Sequence, residues 1–537
     1  MTSAALSRAD DAVPNLKRLL SYGVLIAILV IAVVLRLDGL GEHSLTQDES
    51  SIVEFTSGLI ERGYPSRGLV EIKLITTYEL LPYFMAPSVL LFGFSEFSLR
   101  LPALLFSLGT ICIIFLLARD WFNTRTALWA CLLFAVSPWA IYWGQNCFWP
   151  SQAQFFAVLC ARFLYLLCHE DDIKPWYLYG AAISLLAMYL SWEGSGLFIL
   201  VFAAMVVWLR WGRWNYLWNP HTWIAALVSM VVIVAQLTRR KLYQEPYLYI
   251  GPQGANDSGL SLTFNLPNFE PFLYLNIFSS QQNLVIAAFF FIGAFFVPRN
   301  WSLRFIYTVT IMLYTVYSLF LSVHSLRYVY IVLPYFLIAA AAGTFALIDW
   351  AFRHVDRTRW SIRIPALSGA GLILSLQVLT LAHNGINFRD GGDRFRNYDV
   401  REFEPGQARI DFKAVFASLR RQYRPDDVII TRSPFVLHLY SGLPGDYLPQ
   451  RIMSSVVKYR VVQEMPYYSD KHMANPVLRS QREIDYVLNT NDRVWFAAVP
   501  LEATERHVLG EELFNHMERS MTLNTESHSV RLYLWEK

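Results

Sequence analysis

Long apolar stretches, separated by short polar segments, run through the first two-thirds of the chain. A helix that spans a bilayer needs about 20 mainly apolar residues, and the pattern predicts a polytopic membrane helix bundle, mainly α, with about eleven spans. The predicted spans lie at roughly 19–36, 100–118, 127–143, 152–168, 176–191, 196–209, 222–238, 283–297, 304–321, 328–348 and 364–382.

One apolar stretch does not fit this set. Residues 80–93 are apolar, but the stretch is short and contains Pro82 and Pro87. A span here would also move Arg119 and Arg125 to the opposite side of the membrane. We therefore expect an interfacial or re-entrant helix at this point.

Basic residues are distributed unequally between the two sides of the predicted spans. The short outer loops near 144–151, 192–195 and 322–327 carry one cation, Arg327. Cytoplasmic loops are enriched in Lys and Arg, which predicts an N-terminus inside. The first apolar stretch is too long for a typical signal core, so we expect an uncleaved anchor. The predicted inner loops carry Arg119, Arg125, Lys174, Arg210, Arg213, Arg299, Arg304, Arg353, Arg357, Arg359 and Arg363.

The region from about residue 385 onward is polar and predicts a soluble α/β domain. Phe412, Val415, Phe416 and Leu419 recur at the spacing of one helix face. Short runs rich in β-branched and aromatic residues predict strands. These runs lie at 427–431, 494–498 and 530–535.

Two domains follow from these patterns. Residues 1–384 are predicted to form the membrane domain, with long outer loops at 37–99 and 239–282. Residues 385–537 are predicted to form the extracytoplasmic α/β domain. We expect the protein in the inner (plasma) membrane of a bacterium.

Composition agrees with a membrane protein and excludes other classes. Hydrophobic residues make up 55% of the chain and charged residues 16%, and the mean hydropathy is +0.33, so there is too little charge to cover a soluble protein of this size. The net charge of +3, without a Lys/Arg-rich run, argues against nucleic-acid binding. The five cysteines form no CxxC pair, so we expect small buried hydrophobes rather than metal ligands.

Adjacent carboxylates follow the first predicted span. Asp48 and Glu49 come before an amphipathic stretch that ends near Gly63. A carboxylate at this depth could take a proton from an attacking hydroxyl, or it could contribute to a site for a divalent cation. Asp48 could instead cap the following helix, with Glu49 in its first turn. Because adjacent residues diverge on a helix, we expect activity without an added divalent cation.

Basic residues at the outer ends of the spans are candidates for a phosphate site. Arg100 lies at the second span, while His324 and Arg327 lie between the ninth and tenth. Arginine forks match phosphate oxygens, although an arginine at this depth could also simply snorkel to the interface. Lys73 and Glu79, before the predicted interfacial helix, could face the same cleft.

Other polar residues of the predicted outer loops could contact a substrate. Glu193 lies between two spans, where a carboxylate near hydrocarbon is costly and is a functional candidate, although a solvated turn would also explain it. Gln145 and Asn146 could hydrogen-bond a sugar or cap the neighbouring spans.

Several motifs, in order, resemble the GT-C superfamily of glycosyltransferases, in particular its protein O-mannosyltransferase and aminoarabinose-transferase branch. The motifs span roughly residues 19–348. They are Asp48-Glu49 after the first span, Gly63-Tyr-Pro65, Leu91-Phe-Gly-Phe-Ser-Glu-Phe-Ser-Leu-Arg100-Leu-Pro, Ala135-Val-Ser-Pro138, and Arg327-Tyr328 before Leu333-Pro334.

The resemblance implies transfer of a sugar, with inversion, from a polyprenyl-phosphate donor to an acceptor on the extracytoplasmic face. It implies that Asp48 is the catalytic carboxylate with Glu49 as its partner, and that Arg327 holds the leaving phosphate. Arg100 and Lys73 are expected to assist at the phosphate. His324, Glu79, Glu193, Gln145, Asn146 and Tyr328 are the remaining candidates for substrate binding.

Two departures from the branch concern substrate binding. The branch often has Lys-Pro-Pro or His-Pro-Pro before its interfacial helix, where this chain has Tyr78-Glu-Leu-Leu-Pro82. The second outer loop often carries a charge, whereas Trp143–Pro150 carries none. A transporter or flippase of a lipid-linked glycan is the alternative, although the internal repeats common in transporters are not evident.

Overall fold

The computed structural model describes most of the chain, and at Asp48 and Glu193 it describes the backbone alone. The described residues are 3–42, 44–45, 47–66, 79–170, 174–209, 211, 214–244, 248–249, 284–296, 301–320, 326–353, 360–386, 412–449, 456–458, 468–470, 475–498, 510–527 and 530–537.

The described residues before 387 are almost entirely helical. Short 3-10 helices lie at Glu193–Gly196, Trp214–Trp218 and Leu326–Val332, and a two-residue strand, β1, lies at Leu248–Tyr249. The α-helices are α1 (Ser3–Leu37), α2 (Gln47–Arg62), α3 (Leu81–Phe92), α4 (Glu96–Trp121), α5 (Thr124–Val136), α6 (Pro138–Gly144), α7 (Pro150–His169), α8 (Pro175–Ser191), α9 (Leu197–Leu209), α10 (Pro220–Gln244), α11 (Leu284–Phe296), α12 (Trp301–Phe320), α13 (Leu333–Arg353) and α14 (Trp360–Ile386).

Every apolar stretch predicted to cross the membrane contains a helix, which confirms the predicted bundle. Within the described residues, five helices are long and apolar enough to cross on their own. α5 and α6 together make a sixth, bent by 64° at Ser137-Pro138; the proline cannot continue the α5 hydrogen-bond ladder. The five helices lie at Arg18–Leu37, Glu96–Trp121, Pro150–His169, Pro220–Arg239 and Arg327–Arg353.

The stretch 80–93 forms the short helix α3, whose 12 residues extend over about 18 Å. This is well below the roughly 30 Å of a hydrocarbon core. Pro82 lies in its first turn and Pro87 lies inside it. Its length is therefore that of an interfacial or re-entrant helix, as predicted.

Contacts place the predicted inner and outer loops at opposite ends of the bundle. At one end, Arg162 of α7 pairs with Asp120 of α4 at 2.7 Å, and Arg125 of α5 pairs with Asp349 of α13. At the other end, the residues around 145–149, 192–196 and 326–328 converge. This second end also carries the C-terminal domain, and it is called the site end below.

Helices α11 and α13 approach each other backbone to backbone. A Cβ added to Gly343 would meet the backbone of Phe289 and Gly293, and one added to Gly293 would lie 3.0 Å from the carbonyl oxygen of Ala339. Small residues allow the two backbones to pack this closely. In lipid, the hydrophobic effect does not bring helices together, so close packing of this kind stabilises helix pairs.

The C-terminal region is an α/β domain, as predicted. Its main sheet has the strand order β2-β7-β9-β8, with β2 and β7 parallel and the other pairs antiparallel. β4 pairs with β1 and β5, and β3 pairs with β6. The elements are α15 (Phe412–Gln422), β2 (Val428–Thr431), α16 (Pro434–Ser441), β3 (Leu448–Pro449), β4 (Val456–Lys458), β5 (Tyr468–Asp470), β6 (Val477–Leu478), α17 (Gln481–Thr490), β7 (Arg493–Ala498), α18 (Glu511–Ser520), β8 (Thr522–Ser527) and β9 (Val530–Glu536).

Helices cover both faces of this sheet. Because side chains alternate along a strand, Ile429 and Trp495 pack with α15 and α16 on one face. Ile430 and Phe496 pack with α17 and α18 on the other. The four residues predicted to share a helix face are all buried in α15, and the three predicted strands are β2, β7 and β9.

One expectation for the cysteines is wrong. Four of the five are buried free thiols, but Cys112 of α4 is exposed. An apolar helix position can face either lipid or the protein interior, so the burial of Cys112 could not be assigned from the apolar sequence alone.

Candidate active site

A buried ion pair lies at the centre of the site end. Arg100, in the first turns of α4, donates through Nε and Nη2 to the two carboxylate oxygens of Glu49, at 2.8 and 2.9 Å. Both side chains are almost completely buried, 4% and 0% exposed. A bidentate contact of this kind is among the strongest that proteins form.

Arg100 also fixes the connection between α1 and α2. Its Nη1 donates to the carbonyl of Leu40 at 3.0 Å, and its Nη2 donates to that of Ser44 at 3.1 Å. The guanidinium is thus directed at protein groups. The predicted contact of Arg100 with donor phosphate gains no support from this arrangement, since its fork already holds Glu49.

Asp48 lies in the first turn of α2. The helix begins at Gln47. Its neighbour Glu49 points into the protein and pairs with Arg100.

The loop 145–149 joins the ion pair to the rest of the site end. The backbone N–H of Cys147 donates to Glu49 Oε1 at 3.0 Å. The Oδ1 of Asn146 accepts from the N–H of Phe148 at 3.0 Å, which fixes the turn. Burial, and then the neighbouring Glu49, raise the pKa of the Cys147 thiol well above its ordinary range, so it stays protonated.

Gln145 closes the end of α1. Its Nε2 donates to the carbonyls of Leu35, Arg36 and Asp38, at 3.3, 3.2 and 2.7 Å. These carbonyls have no partner within the helix. Of the two roles considered for Gln145 and Asn146, the described contacts are those of caps and turns.

A stack of three aromatic rings lies beside this loop. Trp192 stacks on Trp149 with ring centroids 4.0 Å apart and on Tyr328 with centroids 4.9 Å apart. The guanidinium of Arg327 lies 5.6 Å from the centroids of both Tyr328 and Phe148. Ring faces attract cations, so the rings hold Arg327 at the site end while its side chain remains only half-buried.

The stack depends on the turn that contains Glu193. A Cβ added to Gly194 would collide with the ring of Trp192, so the turn packs glycine against the stack. Glu193 is in the 3-10 helix Glu193–Gly196, directly after Trp192.

Glu79 approaches the same end from the start of α3. It pairs with Arg239 near the end of α10, and the N–H of Leu80 donates to the carbonyl of Leu190 at 3.0 Å. Leu190 lies close to the end of α8, two residues from Trp192. The structure thus brings Glu79 near the aromatic stack, whereas Lys73 and His324 lie outside the described residues.

Arg36 is a site-end cation that the sequence pattern did not single out. It is fully buried, and it donates to Ser107 Oγ at 2.8 Å and to the carbonyls of Ala135 and Phe134 at 3.0 and 3.4 Å. Pro138 has no N–H to donate back to Phe134, whose carbonyl instead accepts from the N–H of Ser137 at 3.3 Å and from Arg36. Arg36 therefore ties α1 to the bent pair α5–α6.

The described residues contain no cluster of three His, Cys, Asp or Glu that could hold a metal ion. Glu49, one of the two carboxylates considered as ligands, is already engaged by Arg100 and by the Cys147 amide.

Sequence reasoning also missed the aromatic stack and the contacts of the C-terminal domain. Trp149 and Trp192 lie within two of the predicted outer loops, 144–151 and 192–195, so their positions were a usable signal. Lys413 and Tyr440 contact the α1–α2 connection, but they lie in a region with no motif to mark them.

Comparison with known proteins finds a family model that matches part of the chain. A family model described as dolichyl-phosphate-mannose-protein mannosyltransferase matches residues 80–238. No curated protein matches the chain by sequence.

Solved structures match at the level of the fold. ArnT from Cupriavidus metallidurans in the apo state has a TM-score of 0.63 at 13% identity, covering 96% of this chain and 98% of its own. ArnT bound to undecaprenyl phosphate gives 0.59 at 14% identity, covering 96% and 97%. The oligosaccharyltransferase AglB from Archaeoglobus fulgidus, with an inhibitory peptide and a dolichol-phosphate, gives 0.52 at 12% identity, covering 96% and 74%. The chain therefore shares the fold of these proteins.

Proposed function

We propose that the protein is an integral membrane glycosyltransferase that moves a sugar from a polyprenyl-phosphate donor to an acceptor hydroxyl, with inversion. One observation carries the proposal. The loop 145–149 brings the Asp48–Glu49 turn and Arg327 to the same end of the bundle, since Cys147 contacts Glu49 and Phe148 contacts Arg327. A base and a phosphate-binding cation at one membrane surface suit this reaction.

The proposed reaction assigns one step to each group. The acceptor oxygen attacks the anomeric carbon while its proton passes to the Asp48 carboxylate. A base positioned in this way accelerates such an attack by roughly 10²–10⁴-fold. The bond between that carbon and the phosphate oxygen breaks, and polyprenyl phosphate leaves as an anion. Arg327 stabilises the charge that develops on the leaving phosphate.

The remaining candidates have supporting roles in this proposal. Glu49 and Arg100 position the first turn of α2, which carries Asp48. Glu79 and Glu193 border the aromatic stack and are proposed to contact the sugar, with Tyr328 beside them. Lys73 and His324 remain proposed contacts of the donor and the substrate.

A transfer assay distinguishes this function from the alternative. The protein, reconstituted in lipid nanodiscs, is given polyprenyl-phosphate donors with labelled hexoses or pentoses, together with membrane extract as acceptor. A transferase moves the label from the donor to a new product. A flippase, the alternative, moves labelled lipid across proteoliposome membranes with its sugar–phosphate bond intact, and that result would replace the proposal.

Replacing Arg327 by Ala should weaken binding of polyprenyl phosphate by about 10- to 100-fold, because a charge-assisted contact is worth roughly 1.5–3 kcal/mol. Arg327→Lys should recover part of the affinity, since it keeps the charge and loses the fork. The dissociation constant is measured with undecaprenyl phosphate in detergent. Arg304→Ala, an exposed arginine near the start of α12 at the opposite end, is the control. Equal affinity of the wild-type and Arg327→Ala proteins would remove this role.

The orientation of the protein is also a proposal, and it rests on the arginine distribution. Tyr486 of the C-terminal domain and Trp211 between α9 and α10 are 67% and 73% exposed. In intact spheroplasts, an impermeant maleimide should label Tyr486→Cys, whereas Trp211→Cys should react only after permeabilisation. The reverse pattern would place the C-terminal domain in the cytoplasm.

A further inference from the structure

The C-terminal domain contacts the membrane domain next to the proposed base. Helix α16 packs on α2, and its residues Phe435, Leu439 and Tyr440 lie against the buried core of the membrane bundle. The C-terminal domain also contacts the segment of residues 38–45, which is called the α1–α2 connection here. Asp48 follows this segment by three residues.

Tyr440 joins the two domains through its hydroxyl. The hydroxyl accepts from the backbone N–H of Leu45 at 2.7 Å and donates to Glu96 Oε1 at 2.9 Å. Burial, and then Glu96, raise the pKa of Tyr440 well above its ordinary value, so the hydroxyl keeps the proton it donates.

Lys413, in the first turn of α15, completes the contact. Its Nζ pairs with Glu96 Oε1 at 2.6 Å and donates to the carbonyl of Gly41 at 3.3 Å. Its backbone N–H donates to Ser44 Oγ at 3.1 Å. Glu96 begins α4, the helix that also carries Arg100.

The α1–α2 connection is therefore held from two sides. From the membrane side, Gln145 and Arg100 bind the carbonyls of Asp38, Leu40 and Ser44. From the C-terminal domain, Lys413 and Tyr440 bind Gly41, Ser44 and Leu45. Backbone groups of a loop are usually met by water or by local turns, whereas these are met by side chains distant in sequence.

We infer that the C-terminal domain completes the active site, with Tyr440 and Lys413 as positioning residues that fix the start of α2 and hence Asp48. The inference rests on the proposed function, because it takes Asp48 as the base. It gives the C-terminal domain a role in the rate of the reaction. A misplacement of about 1 Å at a reacting group can cost on the order of 100-fold in rate.

Tyr440→Phe is the sharpest test, since it removes the hydroxyl and keeps the ring. We expect kcat to fall by about 10- to 100-fold, while the dissociation constant for undecaprenyl phosphate changes less than about 2-fold. Lys413→Ala should act in the same direction, and Lys413→Arg should restore most of the rate by keeping the pairing with Glu96.

Tyr533→Phe is the matched control. It removes a hydroxyl that donates to Glu518 at 2.9 Å within the same domain, away from the α1–α2 connection, so kcat should be unchanged. Thermal unfolding of both variants separates a local effect from general destabilisation. A kcat for Tyr440→Phe equal to that of the wild type, in the same assay in which Asp48→Asn is inactive, would overturn the inference.

A second measurement does not depend on the reaction. Amide hydrogen exchange in the first two turns of α2 should be faster in Tyr440→Phe than in Tyr533→Phe, because exchange reports local opening. If wild-type protein transfers no sugar, the proposed function fails and the role of the C-terminal domain in the reaction rate fails with it; the exchange result then decides whether Tyr440 fixes the start of α2. Unchanged exchange in α2 would then reject it.

Discussion

Asp48→Asn is expected to lower the rate of sugar transfer by about 10²–10⁴-fold with donor-lipid affinity nearly unchanged. The substitution preserves the shape of the side chain and removes its capacity to accept a proton. Asn also keeps most of the capping ability of Asp near a helix start, so we expect α2 to form in the variant. The measurements are single-turnover transfer of a labelled sugar and the dissociation constant for undecaprenyl phosphate.

Glu42→Gln is a suitable control for this loss. Glu42 is an exposed carboxylate in the α1–α2 connection, so it tests whether any loss of negative charge in this region slows the reaction. A near-normal rate for Asp48→Asn would remove Asp48 as the base and leave Glu193 and Glu79 as the acidic candidates. Glu49 is a weaker candidate because Arg100 and the Cys147 amide already hold its carboxylate.

Arg100→Leu is expected to destabilise the protein by about 3–5 kcal/mol, since it leaves the Glu49 carboxylate buried without its cation. Glu49→Leu should destabilise the protein by a comparable amount, since it leaves the Arg100 guanidinium buried without its anion. The double variant should recover much of the stability, because replacing both charges removes the desolvation cost that each single variant exposes. Denaturant titration in detergent gives the free energy of unfolding of the wild type, the two single variants and the double variant. Together these four values measure the coupling between Arg100 and Glu49.

Arg119→Leu is the comparison for an exposed pair. Arg119 contacts Asp120 at 3.3 Å, with 36% and 26% of the side chains exposed, and such pairs contribute at most about 1 kcal/mol. Additive effects of the Arg100 and Glu49 changes would show that the ion pair does not couple the two sites. We expect the double variant to remain inactive despite its recovered stability, because the carbonyls of Leu40 and Ser44 lose the donor that fixes them.

The membrane bundle and most of the C-terminal domain followed from sequence periodicity. Eleven apolar stretches are helical, and the face of Phe412, Val415, Phe416 and Leu419 is buried as its spacing predicts. Periodicity reports which residues avoid water, and both lipid and protein core satisfy that requirement. For this reason it placed the helices correctly but could not distinguish the exposed Cys112 from its buried counterparts.

The candidate site was predictable only in part. The motifs drew attention to Glu49, Arg100 and Arg327, and the structure brings all three to one end of the bundle. The sequence could not indicate that Arg100 binds Glu49, because 51 residues separate the two and both charges were equally plausible at an open surface. The partners of a charged side chain depend on tertiary geometry, which cannot be read from a single sequence.

The hydrogen bond between Leu45 and Tyr440 joins residues 395 positions apart in the chain. At typical rates of synthesis, on the order of 20–80 s pass between the emergence of these two residues from the ribosome. During that interval the first helices are already inserted, while the α1–α2 connection lacks its partner from the C-terminal domain. The contact between the α1–α2 connection and the C-terminal domain therefore forms late, and an interrupted or truncated chain would leave in the membrane a bundle whose α1–α2 connection is held from one side only.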